Sequence, residues 1–382
     1  MKCSTVKLKE ISTIKTGKLD SNAAVPNGVY PFFTCDPNTL RINKWAYDTE
    51  AVLLAGNNAS GNYTAKYYSG KFNAYQRVYI IETANINLLN TRYLCYAMNL
   101  QLQLLKTMSS GSTTKFLTLG MLQGLEIPLP AISTQKKIVD ILSAYDDLIE
   151  NNQKQIKLLE EAAQRLYKEW FVDLRFPGHE TTPIVDGIPE GWSMCTAGNV
   201  IEFNPKTPLK KGCIKQSVPM TALSTSSMVL NSSEFTMTES NSGAKFRNGD
   251  TLLARITPCL ENGKTAFVAG ITSEEGAVGS TEFIVMRAKK INPYMVYLLA
   301  RTEEFRKTAI NSMTGSDGRQ RAQVDKIMQF PYLLAPQSTL EAFSQLVEPI
   351  FEQVYLKNSQ IAQLSQARDR LIPKLMNREI EV

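Results

Sequence analysis

Ten positions, Ile138, Leu142, Tyr145, Ile149, Asn152, Ile156, Leu159, Ala163, Leu166 and Trp170, follow one another at spacings of alternately four and three. Only a helix brings such positions onto one stripe, and the alternation is the heptad seam of a coiled coil. Adding 205 to every number gives Phe343, Val347, Ile350, Val354, Lys357, Ile361, Leu364, Arg368, Leu371 and Leu375, the same seam in the same register. Eight of these ten are apolar, and the break falls on the same rung in both copies, Asn152 and Lys357, which reads as one polar layer that fixes register. Arg368, opposite the small Ala163, is a second departure. Pro349 and Pro373 are expected to end or bend the second helix near those points.

Two helices of equal length have an obvious partner in each other. About 35 residues span roughly 50 Å at 1.5 Å per residue, enough for a rod between two globular heads. Because each helix follows its own head, a pseudo-twofold plan makes the pair antiparallel; the alternative is that each helix packs on its own head as ordinary core.

The stretches before the helices repeat as well. Leu8, Ile11 and Ile14 are matched by Ala197, Val200 and Phe203 at an offset of 189. LLAGNNASGNYTAK from Leu53 is matched by LLARITPCLENGKTAF from Leu252 at 199, and VYII from Val78 by FIVM from Phe283 at 205. MSSGS from Met108 resembles MTGS from Met313. The offset drifts where Gly, Asn and Ser cluster, as loops that tolerate insertions allow. The expected fold is α+β: two α/β heads joined by an antiparallel two-helix coiled coil, a pseudo-twofold internal repeat. The expected boundaries are 1–135 for the first head, 136–171 for its helix, 172–190 for a linker, 191–337 for the second head and 338–382 for the second helix and tail. From Phe171 to Trp192, six prolines and glycines are expected to forbid regular structure.

That linker holds His179, the one histidine in 382 residues, and it reads as a solvated loop side chain. Chemistries that pair His with Ser or Cys, or that hold a metal with several imidazoles, lose their main ligand type. Six scattered cysteines show no CxxC pair, so neither a zinc site nor a disulfide framework is expected. The start, MKCSTVKLKE, has no apolar signal core, and no apolar run approaches the ~18 residues of a spanning helix. A cytoplasmic chain is expected, in which the Asn-x-Ser/Thr matches at Asn58 and Asn62 carry no glycan.

The net charge of +6 becomes informative when mapped. Residues 1–135 carry 13 basic and 7 acidic side chains and residues 191–337 carry 17 and 12, so the heads hold +6 and +5 and the remainder is acidic. Two basic heads fit a divalent polyanion binder, and duplex DNA is the common rigid polyanion. A membrane surface fits less well, for lack of a basic amphipathic helix.

The loop Gly56 to Arg77 mixes Asn57, Asn58, Asn62, Gln76 and Arg77, types that contact base edges, with Lys66, Tyr63, Tyr67, Tyr68 and Tyr75. Its counterpart offers Arg255, Thr257, Glu261, Asn262, Lys264 and Thr265, followed by Gly279, Ser280, Thr281 and Glu282. SSGSTTKFLT (Ser109 to Thr118) and TGSDGRQRA (Thr314 to Ala322) read as turns opening a short helix, where free amides with Thr114, Lys115, Arg319, Gln320 and Arg321 would hold a phosphate. Each is also an ordinary turn composition.

Gly263-Lys264-Thr265 lacks the first glycine of a phosphate loop, Pro258 standing in its place. Asn204-Pro205 is followed by Lys206, not by the second Pro and aromatic of an amino-methyltransferase site. There is no GxGxxG loop, and no compact carboxylate cluster recommends a Mg-dependent nuclease. The chain reads as one that recognises without reacting, with no catalytic and no metal-binding residue.

IPLPAISTQKKIVDIL from Ile127, LLEEAAQRLYKEWF ending at Phe171, GIPEGW from Gly187, LARITPCLENGKTAF with GSTEFIVMR, and ARDRLIPKLMNREI from Ala367 together resemble the specificity (S) subunits of type I restriction-modification systems. The resemblance covers essentially the whole chain. It implies two target-recognition domains, each reading half of a bipartite, asymmetric DNA sequence, and a coiled coil between them. It also implies partners: two modification subunits that methylate adenine with S-adenosylmethionine, and restriction subunits that use ATP and Mg²⁺. No cofactor is expected in this chain itself. The different loops of the two heads imply different half-sites, with centres about one helical turn, roughly 10 bp, apart. Outward helix faces, with Glu160, Glu161 and Lys168, are expected to meet the modification subunits. Two other readings stand beside it: a stand-alone two-headed DNA-binding regulator or tether, and a nuclease fused to a recognition domain.

Overall fold

The computed structural model describes residues 5–36, 38–58, 63–108, 115–316 and 318–382. The chain divides into two compact units, one formed by Met1–Ile149 with Gln363–Val382 and one by Glu150–Ala362.

In the first unit the central strand, Tyr47–Ala55, is apolar on both faces, because Val52 and Leu54 enter one cluster while Ala51 and Leu53 enter another. Successive side chains of a strand point to opposite sides, so a continuous apolar run marks a strand covered twice. It lies inside a six-stranded sheet whose order is Ser12–Thr16, Val78–Thr83, Tyr47–Ala55, Ala65–Ala74, Tyr30–Phe33, Leu40–Ile42. Only Tyr30–Phe33 against Ala65–Ala74 is parallel. The helix Thr91–Met108 packs through Tyr93, Leu94, Ala97 and Met98 into the cluster with Val52 and Leu54.

The second unit repeats the plan. Its strands run Ile201–Phe203, Phe283–Ala288, Thr251–Ala254, Thr265–Phe267, all antiparallel. Leu53 faces Ile80 and Val52 faces Ile81 in the first sheet; Leu252 faces Val285 and Thr251 faces Met286 in the second. These pairs are related by the offsets 199 and 205 that the sequence shows. Ile14 facing Ile81 likewise becomes Phe203 facing Met286. Leu8 and Ala197 both open a four-residue helix and both are fully buried. Each head closes with a two-stranded ladder, Thr5–Lys7 on Glu126–Pro128 and Ser193–Thr196 on Pro331–Leu334, which ties the start of the head to the entrance of its long helix. A second four-stranded sheet, ordered Thr236–Thr238, Lys215–Val218, Ala277–Gly279, Ala244–Phe246, completes this unit.

The long helices are Ile132–Tyr167 and Gln337–Met376, and both contribute to both units. In the first unit Ile138 and Leu142 join one cluster with Leu371, Leu375 and Met376, and Arg368 Nη1 lies 2.7 Å from Asp146 Oδ1. In the second, Ile156, Ala163, Tyr167 and Trp170 share a core with Phe343, Val347, Phe351 and Val354, while Leu159, Leu166, Ile350 and Ile361 pack at its margin. There Tyr167 stands beside Phe343 and Asn152 beside Gln360, so the helices run antiparallel. Ile149 is buried, and Leu364 is half-buried.

Four expectations are corrected. Of the two outcomes expected at Pro349 and Pro373, ending and bending, the helix does not show the first: it runs unbroken from Gln337 to Met376. Pro349 is exposed, as is Gln345 whose carbonyl loses its helical donor, so that carbonyl is not left unpaired in an apolar interior. The polar rung is Asn152 with Gln360, Nδ2 to Oε1 at 3.4 Å, and not Asn152 with Lys357. Equal positions in two copies are equivalent, but antiparallel packing does not place them opposite each other; for the same reason Arg368 meets Asp146 and not Ala163. The stretch after Trp170 does carry regular structure: Ile184–Val185 pairs with Ile188–Pro189 across Asp186 and Gly187, both at positive φ as a two-residue hairpin requires. Phe176 and Trp192 are buried with ring centroids 4.9 Å apart.

Candidate nucleic-acid interface

In the first unit the turn into strand Val78–Thr83 is closed by Val78 N–H donating to Tyr75 O at 2.8 Å. Gln76 N–H donates to Leu19 O and Gly56 N–H to Arg77 O, at 2.9 and 2.8 Å. With the backbone so occupied, the Gln76 and Arg77 side chains are left exposed at the rim of a cleft of about 410 Å³. Thr16, Gly56, Tyr79 and Thr118 line it, and the Tyr79 hydroxyl donates to Leu117 O at 2.9 Å to fix the floor.

The second unit has a cleft of about 860 Å³ at the corresponding edge of its sheet, but its walls include Phe283 and Val285, the counterparts of Val78 and Ile80, so it opens on the face opposite to the Tyr79 cleft. Arg255 takes the position of Gly56 and Thr281 that of Gln76 by the same offsets, and Asn204, Lys206 and Lys245 complete the polar lining. One wall is braced from below: Arg287 is paired with the buried Asp250 at 2.7 Å and donates to Thr207 Oγ1 at 3.0 Å, holding the Asn204 to Pro208 turn. Another wall needs glycine, since Gly243 has φ +97° and a Cβ there would lie 2.0 Å from Gly279 O. At the rim Glu282 accepts from Arg321 Nη2 and Nε at 2.7 and 2.9 Å, and its carboxyl is held below the usual range mainly by that hydrogen bond. Arg255 Nε lies 4.0 Å from the same carboxylate.

The residues singled out in the sequence fall into three groups. Gln76, Arg77, Arg255 and Thr281 line the clefts. Asn262 and Arg319 are exposed on neighbouring turns, and Gln320 O accepts from Thr257 N–H at 3.1 Å. Others are spoken for: Lys264 Nζ donates to Met220 O at 3.0 Å, Lys66 Nζ to Thr39 Oγ1 at 3.4 Å, and Tyr63 packs against the core. Burial pushes the Lys66 ammonium down and the Tyr63 hydroxyl up. Asn62 and Thr114 lie outside the described residues, as do the side chains of Asn57, Asn58 and Lys115.

The two segments read as turns opening a short helix do each precede one, and the Thr118 hydroxyl caps the first by accepting from Met121 N–H. Lys115–Phe116 is a strand on Asn57–Asn58, and Thr314 and Arg321 pair in an antiparallel bridge. The helices that follow, Leu119–Gln123 and Val324–Met328, are only five residues long. Ten residues of the loop expected from Gly56 to Arg77 form the strand Ala65–Ala74, in which Tyr68 packs on Phe33 and Phe72. Glu160, expected on an outward face, accepts from Ser227 Oγ and Met228 N–H at 2.9 and 2.8 Å. Lys206 and Lys245 were not singled out, because the cleft gathers them from an irregular segment and from the strand Ala244–Phe246, about forty residues apart. Among the described residues no group of His, Cys, Asp and Glu comes together to hold a metal, and no helix is long and apolar enough to cross a membrane.

Comparison with known proteins places this geometry. The sequence profile of the type I restriction modification DNA specificity domain matches residues 2–161. Over 161 residues the chain is 38% identical to the type I restriction enzyme EcoDI specificity subunit of Escherichia coli, a match covering 42% of this chain and 35% of that protein. Over 287 residues it is 29% identical to the MjaIX specificity subunit of Methanocaldococcus jannaschii, covering 73% and 66%. The matches thus span from about a third to just under two thirds of these relatives. Among solved structures, the S subunit of a type I restriction-modification system from M. genitalium superposes with TM-score 0.58 at 16% identity, over 97% of this chain and 95% of that one, so the two share a fold.

Proposed function

We propose that this chain belongs to the family of type I restriction-modification specificity subunits and reads a bipartite, asymmetric DNA sequence with one half-site for each head. The observation that carries the reading is that each sheet has a cleft at the same strand ends, with Gln76 and Arg77 there in one unit and Arg255, Thr281 and Lys206 in the other. Arginine and glutamine present paired donors and acceptors that match base edges, and lysine neutralises phosphate without reading sequence. Different side chains on one scaffold imply two different half-sites.

The chain recognises and scaffolds, with no catalytic group of its own. Its partners are two modification subunits, which supply S-adenosylmethionine-dependent methylation, and restriction subunits, which supply ATP- and Mg²⁺-dependent translocation and cleavage. The relatives, all of them restriction specificity subunits, favour this over a stand-alone regulator.

The test is the methylome of cells expressing this chain with its modification subunit. A gapped two-part methylated motif is expected. No new methylation, together with tight binding of the isolated chain to one site, would instead mean a regulator.

A further inference from the structure

The helix Thr91–Met108 of the first head meets both long helices within its own unit through a polar cluster. Asp146, three quarters buried, accepts from the Tyr96 hydroxyl at one oxygen and pairs with Arg368 Nη1 at 2.7 Å through the other. Arg92 reaches Asp147 Oδ1 at 3.1 Å and Asp146 Oδ2 at 3.9 Å. On its other side the Arg92 guanidinium lies 5.4 Å from the centre of the Tyr67 ring, and the Tyr67 hydroxyl donates to Glu50 at 2.9 Å. A continuous chain of directed contacts therefore runs from the sheet that carries the cleft, through Arg92, to both long helices.

The second unit fills the equivalent positions with rings. By the 205 offset Tyr297 stands for Arg92 and Phe351 for Asp146; by the strand pairing Phe267 stands for Tyr67. Phe351 packs on Tyr297, Phe267 and Tyr294 with centroids 5.8, 5.1 and 4.8 Å apart. At this one place the second head meets its helix through packed rings and the first through hydrogen-bonded charge. A charged cluster fixes an angle only while its central acceptor is in place.

We propose that Asp146 is a positioning residue: it fixes the angle at which the first head sits on its helix pair, and thereby how strictly the chain discriminates spacer lengths between half-sites. This rests on the two-headed DNA reading. Each added base pair rotates one half-site by roughly 34° about the DNA axis, so a loosened head is felt in spacer preference before base preference.

The experiment uses the full chain. Half-sites are first selected by the unaltered protein from a random duplex library, then joined through a series of spacers and competed for binding. For Asp146→Asn, preference for the best spacer over its neighbours should fall by about threefold, the strength of an ordinary partly buried pair. The penalties for mismatches inside the half-sites should stay as they are. Tyr96→Phe, which removes one donor and keeps the ring, should broaden the spacer profile in the same sense and carries the test if Asp146→Asn does not fold. A spacer profile unchanged in the folded variants overturns the proposal. Failure of the unaltered chain to select any sequence overturns the DNA reading itself.

Discussion

Glu282 accepts from Arg321 Nη2 at 2.7 Å and from its Nε at 2.9 and 3.0 Å, and Arg255 approaches the same carboxylate to 4.0 Å. Two guanidiniums, of which Arg255 lines the second cleft, thus share one negative charge, which lowers the local field that a phosphate would meet. Glu282→Gln removes that competitor while keeping an acceptor of the same shape. Non-specific duplex binding should tighten, and the slope of log K against log salt should steepen by about one counterion. Anisotropy titrations across a salt series measure both; an unchanged slope would mean that neither arginine reaches phosphate.

The same pair has a pH signature. Arg321 holds the Glu282 carboxyl below its ordinary value, so the pair stabilises the fold above the unfolded-state pKa of about 4.3 and loses that contribution as pH falls through the folded value. The Arg321 side chain is 43% exposed, so the effect is small. Melting curves of the unaltered chain and Glu282→Gln should differ at neutral pH and converge below about pH 4.

Much of this arrangement is legible in the sequence, for physical reasons. Strand pairing must keep apolar faces in register, so the offsets relating Leu53 to Leu252 and Ile80 to Val285 survive as cross-strand partners in both sheets. What is not legible depends on distant chain meeting by topology. Nothing local to Lys264 reveals that the Met220 carbonyl captures its ammonium, and nothing near Lys206 foretells a shared cleft with Lys245. The tyrosines between Gly56 and Arg77 look like loop residues because Gly70 interrupts the alternation, yet Gly70, at φ +123°, is carried inside the strand Ala65–Ala74.

Asn152 is buried on the helix seam with one long hydrogen bond, 3.4 Å to Gln360. A polar residue in such a seam lowers stability while favouring one alignment. Asn152→Leu should raise the melting temperature by a few degrees, about 2–4 °C for each kcal/mol gained. Differential scanning calorimetry decides it, and a lower melting temperature would show the Asn152 contact to be worth more than the apolar burial that replaces it.

Glu160 is raised above the usual carboxylate range by burial, although the Met228 amide and the Ser227 hydroxyl both donate to it. A raised carboxyl costs nothing below its unfolded pKa and increasingly destabilises as pH rises through the folded value. Glu160→Gln keeps an acceptor and discards the charge, so it should be neutral or mildly stabilising at pH 7. Glu160→Ala leaves the Met228 N–H without its acceptor and should cost about 1–3 kcal/mol. Urea unfolding midpoints separate the two; equal losses would show that the charge itself is required.

Gln76 and Thr281 occupy the same place on two copies of one sheet, each at the rim of its own cleft. If the heads read separately, damage to one must leave the other half of the target untouched. Gln76→Ala removes a paired donor and acceptor, and should relax one base position in one half-site by about 1–3 kcal/mol. Thr281→Ala should relax the other half-site, by less, because a hydroxyl makes a single contact. Sequencing the duplexes retained by each variant from a random library reads both halves at once. Relaxation of both halves by either change would mean that the clefts act jointly, and relaxation of neither would move base reading to the turns beyond them.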